Sequence, residues 1–247
     1  MKNIRNTIIG IIIFLIIGGT VTLIYRYEKN KVRRELALRI AELSPRGGIP
    51  ETVDQLRKAI AIYEDQIERN VQEGAQTGVY WKILAMRLSD RNMHRDALEA
   101  LERALHFNTA DPVLMFLTGE SASIVAANAM QFSISGPNER EHYYKLSETA
   151  YLRAIELDRS YTRPLLGLGI LYTFDLNRPA EAIPYLVNYL NMNSADIRGM
   201  FVLARSYFMT ARYAEAIELY DRILSRSKDP NIRAEAENNR EITRSLM

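Results

Sequence analysis

The chain begins with a long apolar segment bounded by basic residues. Residues 7–25 carry no charged side chain, and as a helix these nineteen residues would be about as long as a bilayer's hydrocarbon core is thick. Lys2 and Arg5 precede the segment, and five basic residues follow it between positions 26 and 34. The pattern predicts a single transmembrane helix over residues 7–25, after a short tail over residues 1–6.

This segment could be a cleaved signal peptide or a permanent anchor, and an anchor could leave the body on either side of the membrane. Gly18, Gly19 and Thr20 form a poor signal-peptide cleavage site and the apolar run continues to Tyr25, so we favour an uncleaved anchor in the inner (cytoplasmic) membrane. The excess of basic residues after the segment favours a cytoplasmic body. A short basic N-terminal tail usually stays inside, which favours an extracytoplasmic, periplasmic body. We expect the second orientation and leave the first open.

The composition of residues 26–50 predicts a basic juxtamembrane helix followed by a linker. Residues 44–50 combine two prolines with two glycines, so a helix must end there. From residue 51 onward, apolar residues recur at steps of three and four, and no segment alternates with the period of two that is typical of a strand. The pattern predicts an all-α fold over residues 51–247 that starts with a helix over residues 51–71.

Small residues recur along the predicted helices in two parallel series. Intervals of 34, 50 and 35 residues separate the first series: Ala85, Gly119, Gly169 and Ala204. Intervals of 50, 35 and 34 residues separate the second: Ala97, Ser147, Ala182 and Ala216. Because the two series agree, they indicate a repeat with a 16-residue insertion in its second copy and one extra residue in its third, near residues 177–179.

The first copy of the repeat carries a known motif in its bulky and small residues: Trp81, Leu84, Ala85 and Leu88 on one helix, then Ala97, Leu101 and Ala104 on the next. This spacing resembles the tetratricopeptide repeat (TPR), a pair of closely packed helices. The resemblance implies a right-handed α-solenoid with repeats at about 78–111, 112–161, 162–196 and 197–230, an insertion at 126–142 and a capping helix at 231–247. Residues 51–71 would then be the second half of a degenerate repeat.

In a TPR solenoid, the first helix of each pair lines a concave face, and its unpacked residues are free to bind. The resemblance puts nine candidate residues in this groove: Lys82, Met86, Phe116, Glu120, Ile170, Phe174, Phe201, Arg205 and Phe208. Such a largely apolar groove suits an amphipathic helix or apolar peptide of a partner protein. Family members that grip acidic C-termini use lysines and asparagines, and only Lys82 matches them. The alternative is that the aromatic residues belong to the core.

Composition excludes several functional classes. The chain has no cysteine, and its three histidines lie far apart without metal-binding spacing. Beyond residue 34, 29 acidic residues face 25 basic ones, so we expect no nucleic-acid partner. No catalytic residue, metal or cofactor is expected.

These patterns predict a membrane-anchored interaction scaffold of the bacterial envelope that is not an enzyme. A partner protein or peptide would bind in the groove, and residues 7–25 would hold the chain in the membrane. The alternative is a ligand-binding accessory module of an envelope transporter or of a polysaccharide machinery. The identity of the partner, a homo-oligomeric state and a functional role for the insertion all stay open.

Overall fold

A computed structural model describes residues 27, 31, 34–35, 37–38, 53–129 and 138–247. The predicted tail over residues 1–6, the predicted transmembrane helix over residues 7–25 and the predicted linker over residues 44–50 lie outside these residues. In the described part of the chain, no helix combines the length and the apolar character needed to span a bilayer. The chain divides into two compact units, Met1–Glu73 and Gly74–Met247.

The described residues form α-helices and one π-helical turn, in agreement with the predicted all-α, TPR-like fold. The elements in chain order are α1 (Val53–Ser89), α2 (His94–Phe107), α3 (Pro112–Asn128), α4 (Asn138–Leu157), α5 (Arg163–Ile170), the π turn (Leu171–Asp175), α6 (Pro179–Met192), α7 (Ile197–Met209), α8 (Tyr213–Arg226) and α9 (Pro230–Arg244). From α2 onward, each helix packs against the next, and α3, α5 and α7 also contact one another in order. These first helices of the pairs therefore form one layer.

Helix α1 corrects the prediction for residues 51–71. It runs without a turn from Val53 to Ser89, so residues 51–71 are not the second half of a separate repeat. Gly74 and Gly78 lie inside the helix, although in the sequence two such glycines could mark the end of a helix. A Cβ on Gly78 would lie 2.8 Å from the Cβ of Phe107, so this glycine serves the approach of α2 to α1 and does not mark a turn.

The two series of small residues occupy buried positions, as the predicted register requires. Ala85 and Ala204 on first helices, and Ala97, Ala182 and Ala216 on second helices, are at most 1% exposed. The remaining members of the two series, Gly119, Ser147 and Gly169, are also buried. The spacing in the sequence thus identified the positions where paired helices approach most closely.

The N-termini of α3, α7 and α9 are capped in the same way. Asp111, Asp196 and Asp229 precede α3, α7 and α9, and each side chain accepts hydrogen bonds from two backbone N–H groups of the first turn. Pro112 and Pro230 follow two of these caps at a position that needs no N–H donor. These prolines therefore begin helices.

The insertion predicted at residues 126–142 begins inside α3 and ends inside α4. Ala126 is fully buried within α3, which extends to Asn128, and α4 resumes at Asn138. At the start of α4, Glu139 forms a salt bridge of 2.7 Å with Arg95 on α2. Glu139 therefore links the start of α4 to α2.

The extra residue of the third repeat lies in the π turn, earlier than the sequence predicted. In the first and fourth repeats, the N–H of Met93 and of Arg212 donates to a carbonyl five residues back, each at 2.9 Å. The equivalent bond of the third repeat joins the N–H of Arg178 to the carbonyl of Tyr172, six residues back, at 2.7 Å. A π turn holds one more residue than an α-helical turn, so Leu171–Asp175 absorbs the insertion.

We expect Gly169→Ala to lower the free energy of unfolding by about 1–3 kcal/mol through overpacking. The new Cβ would lie 2.3 Å from Cδ2 and 2.6 Å from Cγ of Leu186, which is fully buried and has no space to move into. Urea denaturation of both proteins measures the difference.

Gly74→Ala is the matched control, because its Cβ would meet only Phe107 Cδ1 at an ordinary 3.7 Å. This substitution should stabilise the chain by up to about 1 kcal/mol through helix propensity. Equal effects of the two substitutions would contradict the packing register.

Candidate functional site

The nine predicted groove residues separate into two cavities and three residues outside them. Phe116, Glu120 and Ile170 line a cavity of about 320 Å³ between α3 and α5, here called the upper cavity. A second space of about 520 Å³, here called the apolar groove, is lined in part by Phe174, Phe201 and Arg205. Lys82, Met86 and Phe208 line neither.

The first repeat contributes a structural ion pair in place of a binding residue. Lys82 Nζ lies 2.8 Å from the Oδ2 of Asp111, the residue that caps α3. Lys82 therefore links α1 to the start of α3. Met86, one turn further along α1, is 45% exposed and lies outside both cavities.

Phe116 forms a wall of the upper cavity and is only 4% exposed. Its ring lies 5.9 Å from the ring of Tyr151 and 5.6 Å from that of Tyr161, and the guanidinium of Arg163 lies 4.4 Å from its centroid. These contacts hold Phe116 in the core. Glu120 and Ile170 are half-buried beside it and remain the reachable groups.

Phe174 and Asp175 are neighbours in the π turn but border different cavities. Phe174 is 55% exposed and borders the apolar groove, whereas Asp175 borders the upper cavity. The Tyr144 hydroxyl donates a hydrogen bond of 3.2 Å to Asp175. Although Asp175 is exposed as a residue, partial burial of its carboxyl group raises its pKa above the usual value, and the bond from Tyr144 and the charge of Arg140 act in the opposite direction.

The apolar groove lies between α7 and α9, with α8 beneath it. Phe201 on α7 packs against Tyr220 on α8 with ring centroids 6.3 Å apart. Ile197 and Val202 of α7 and Ile232 of α9 extend the apolar lining. The polar residues at the groove are Arg198, Arg205, Glu235 and Asn239. An apolar floor with charged edges is suited to an amphipathic protein segment.

Phe208 supports the groove from outside. Its ring lies 5.9 Å from that of Tyr213, and the guanidinium of Arg205 lies 5.3 Å from its centroid. Phe208 thus holds the Arg205 side chain by a cation–π contact, and does not itself line the groove.

Several site residues were not identified from the sequence. Arg198 precedes Phe201 by three residues on α7, so helical spacing alone could have placed it on the same face. Ile232 and Glu235 come from the capping helix, and no spacing rule predicts that α9 forms a wall of the groove. Among the described residues, no cluster of histidine, aspartate and glutamate side chains is placed to hold a metal ion.

Comparison with known proteins supports the TPR-like fold. No family model matches the chain. A TPR repeat-containing protein of Borreliella burgdorferi is 22% identical over 196 residues, which cover 79% of this chain and 83% of that protein.

Solved structures agree on the fold at low sequence identity. YrrB, a TPR protein with an unusual peptide-binding site, has a TM-score of 0.56 at 18% identity and covers 72% of this chain and 82% of its own. A thermophilic TPR protein of Thermus thermophilus has a TM-score of 0.54 at 16% identity and covers 83% and 97%. MamA has a TM-score of 0.51 at 16% identity and covers 78% and 90%. The chain therefore has a TPR-like helical-repeat fold.

We expect Asp175→Asn to raise the free energy of unfolding at pH 7. Burial penalises the charged carboxylate, and the amide oxygen could still accept the bond from Tyr144. Because the folded-state pKa is raised, the contribution of Asp175 is fully present below its unfolded pKa of about 3.9 and is lost as pH rises through the folded-state value. The gain should therefore grow from pH 4 to pH 7 in urea denaturation.

Asp158→Asn is the control with the opposite sign. The Ser160 side chain and backbone donate hydrogen bonds that lower the pKa of this exposed carboxyl group, so its removal should reduce stability at pH 7. A loss of stability in Asp175→Asn at pH 7 would contradict the assigned direction.

Proposed function

We propose that this chain is a binding protein, not an enzyme, that holds a segment of a partner protein in the apolar groove. The observation that carries the proposal is a space of about 520 Å³ bordered by Phe174, which is 55% exposed, and by the half-buried Ile197, Phe201 and Ile232. Exposed apolar surface of this kind marks interaction sites, and aromatic anchors provide much of the binding energy of protein interfaces.

The fold supports this use of the groove. In a repeat protein, equivalent helices of successive repeats stack side by side and form an extended surface for a partner. YrrB, which shares the fold, is described as having a peptide-binding site. The groove of this chain is formed by the last repeat and α9, so a partner segment could contact residues from three helices.

We further propose that residues 7–25 anchor the chain in the inner membrane, with the repeats on the extracytoplasmic side. The support is the uncharged length of the segment and its basic flanks. The chain would then be a scaffold that fixes the binding of its partner to a membrane surface.

A photoreactive residue at Phe201 tests the groove. Irradiation of native membranes should give a discrete protein adduct at Phe201, because this side chain lines the groove. The same residue at Glu218, which is exposed on α8, is the control and should give no adduct. Adding Phe174→Asp to the Phe201 reporter should reduce the adduct about fivefold, since a charge would replace an exposed anchor.

Mass spectrometry of the adduct identifies the partner. Equal adducts at Phe201 and Glu218, or none at Phe201, would count against a protein segment in the groove.

The absence of cysteine from the sequence permits a direct test of orientation. A single cysteine introduced as Ser225→Cys, at an exposed position of α8, should react with a membrane-impermeant maleimide in spheroplasts before lysis. Asn3→Cys, ahead of the predicted span, should react only after lysis. The reverse pattern would place the repeats in the cytoplasm.

A further inference from the structure

The apolar groove has two arginines on one face of α7. Arg198, Phe201 and Arg205 follow one another at steps of three and four residues, and all three line the groove. Both arginine side chains are exposed. The groove therefore presents a cation about one helical turn to each side of its central aromatic anchor.

In the described part of the chain these two arginines lack ion pairs, which some of the arginines nearby have. Arg178 pairs with Glu148 at 3.0 Å, Arg212 pairs with Glu215 at 2.8 Å and Arg240 pairs with Asp221 at 2.5 Å. Within the part of the chain that the structure describes, neither Arg198 nor Arg205 forms a salt bridge. The unpaired cations thus coincide with the exposed apolar surface.

Arg198 also borders the upper cavity, where Glu120 and Asp175 lie, but it forms no salt bridge with either of them. Asp196, two residues before Arg198, caps α7 and accepts the Tyr189 hydroxyl at 2.8 Å. Glu235, on the opposite helix α9, is the one acidic residue in the described lining of the groove. The lining therefore carries two basic residues and one acidic residue, although acidic residues outnumber basic ones beyond residue 34. This local excess of positive charge is complementary to a negatively charged ligand.

We infer that the apolar groove binds a helical segment of a partner protein in which two acidic residues, seven positions apart, flank a bulky apolar residue. The inference rests on the proposed function and names the chemistry of the partner. The apolar residue would pack on Phe201 and Phe174, and the two carboxylates would pair with Arg198 and Arg205.

The spacing of the arginines favours a helical ligand over an extended one. Their Cα positions are seven residues apart on α7, or about 10 Å along the helix axis. On a ligand helix, positions i and i+7 share one face and have the same separation. In an extended segment, side chains on one side of the chain recur about every 7 Å. One such step is shorter than the Cα separation of the two arginines, and two steps, about 13 Å, are longer.

A helical display library tests this chemistry without assuming a partner. The probe is a phage-displayed set of 18-residue alanine-rich helices with seven positions of one face randomised, selected on the full chain in detergent. We expect enrichment of Asp or Glu at i and i+7 around a bulky apolar residue at i+3 or i+4. Arg198→Glu combined with Arg205→Glu should weaken binding of the selected helices by about tenfold or more.

The control variant carries Arg222→Glu and Arg226→Glu, an identical charge change at exposed positions of α8. It should bind the selected helices within about twofold of the unmodified chain, because distant surface charges contribute little. Circular dichroism verifies that both double variants keep their helix content. Selection of basic or uncharged flanks, equal binding to the Arg198 and Arg205 variant, or no enrichment would overturn the inference.

The photocrosslinking result separates this inference from the proposed function. An adduct at Phe201 together with selected helices that lack acidic flanks would retain the partner site and reject its acidic chemistry. Acidic helices selected by the groove, without an adduct at Phe201 in native membranes, would retain the chemistry and reject the membrane partner.

Discussion

The close approach of paired helices at positions with very small side chains is the constraint on which the rest of the structure depends. A Cβ on Gly119 would lie 2.6 Å from Cδ1 of Tyr151, and one on Gly169 would lie 2.3 Å from Cδ2 of Leu186. Large side chains of the second helices thus reach the backbone of the first helices. At Ser147, the hydroxyl adds a hydrogen bond of 2.7 Å to the carbonyl of Gly119. Because this packing uses one side of each first helix, other sides remain available for binding.

The π turn accommodates the extra residue of the third repeat without a change in the turn that follows. Asn177 has a positive φ of 51°, close to the 60° of Asn92 and the 57° of Ala211 at the equivalent turns. The chain therefore enters the second helices of the first, third and fourth repeats with the same turn, and the extra residue of the third is taken up before Asn177. The local change in helical phase gives Phe174 to the apolar groove and Asp175 to the upper cavity. An irregularity in the repeat thereby contributes to both sites.

The arginines of the last repeats differ in whether they form ion pairs. Arg178 bridges Glu148 and Glu181, and so links the second repeat to the third. Arg205 instead stacks on Phe208 with no described carboxylate partner. An exposed ion pair adds little to stability, while an unpaired guanidinium beside apolar surface is available to a ligand. The groove is therefore distinguished by unpaired arginines that lie beside apolar surface.

The sequence alone determined the helical class, the repeat and its register. The intervals between Ala85, Gly119 and Gly169 were informative because the same packing contact recurs in each copy, so each copy repeats the same small residue. Sequence periodicity could not show that α1 is continuous through Gly74, because a glycine in a helix and a glycine in a turn look alike until the neighbouring Phe107 is known.

Tertiary structure alone decided which candidate residues are buried and which line a cavity. Phe116 and Phe174 were both predicted to lie on the groove face, yet one is 4% exposed and the other 55% exposed. Tyr151 and Tyr161 cover the first, whereas the π turn presents the second to the groove. The opposite wall comes from α9, which local sequence does not connect to α7. Periodicity records which side of a helix is apolar, but exposure depends on what packs against that side, and only the folded chain determines this.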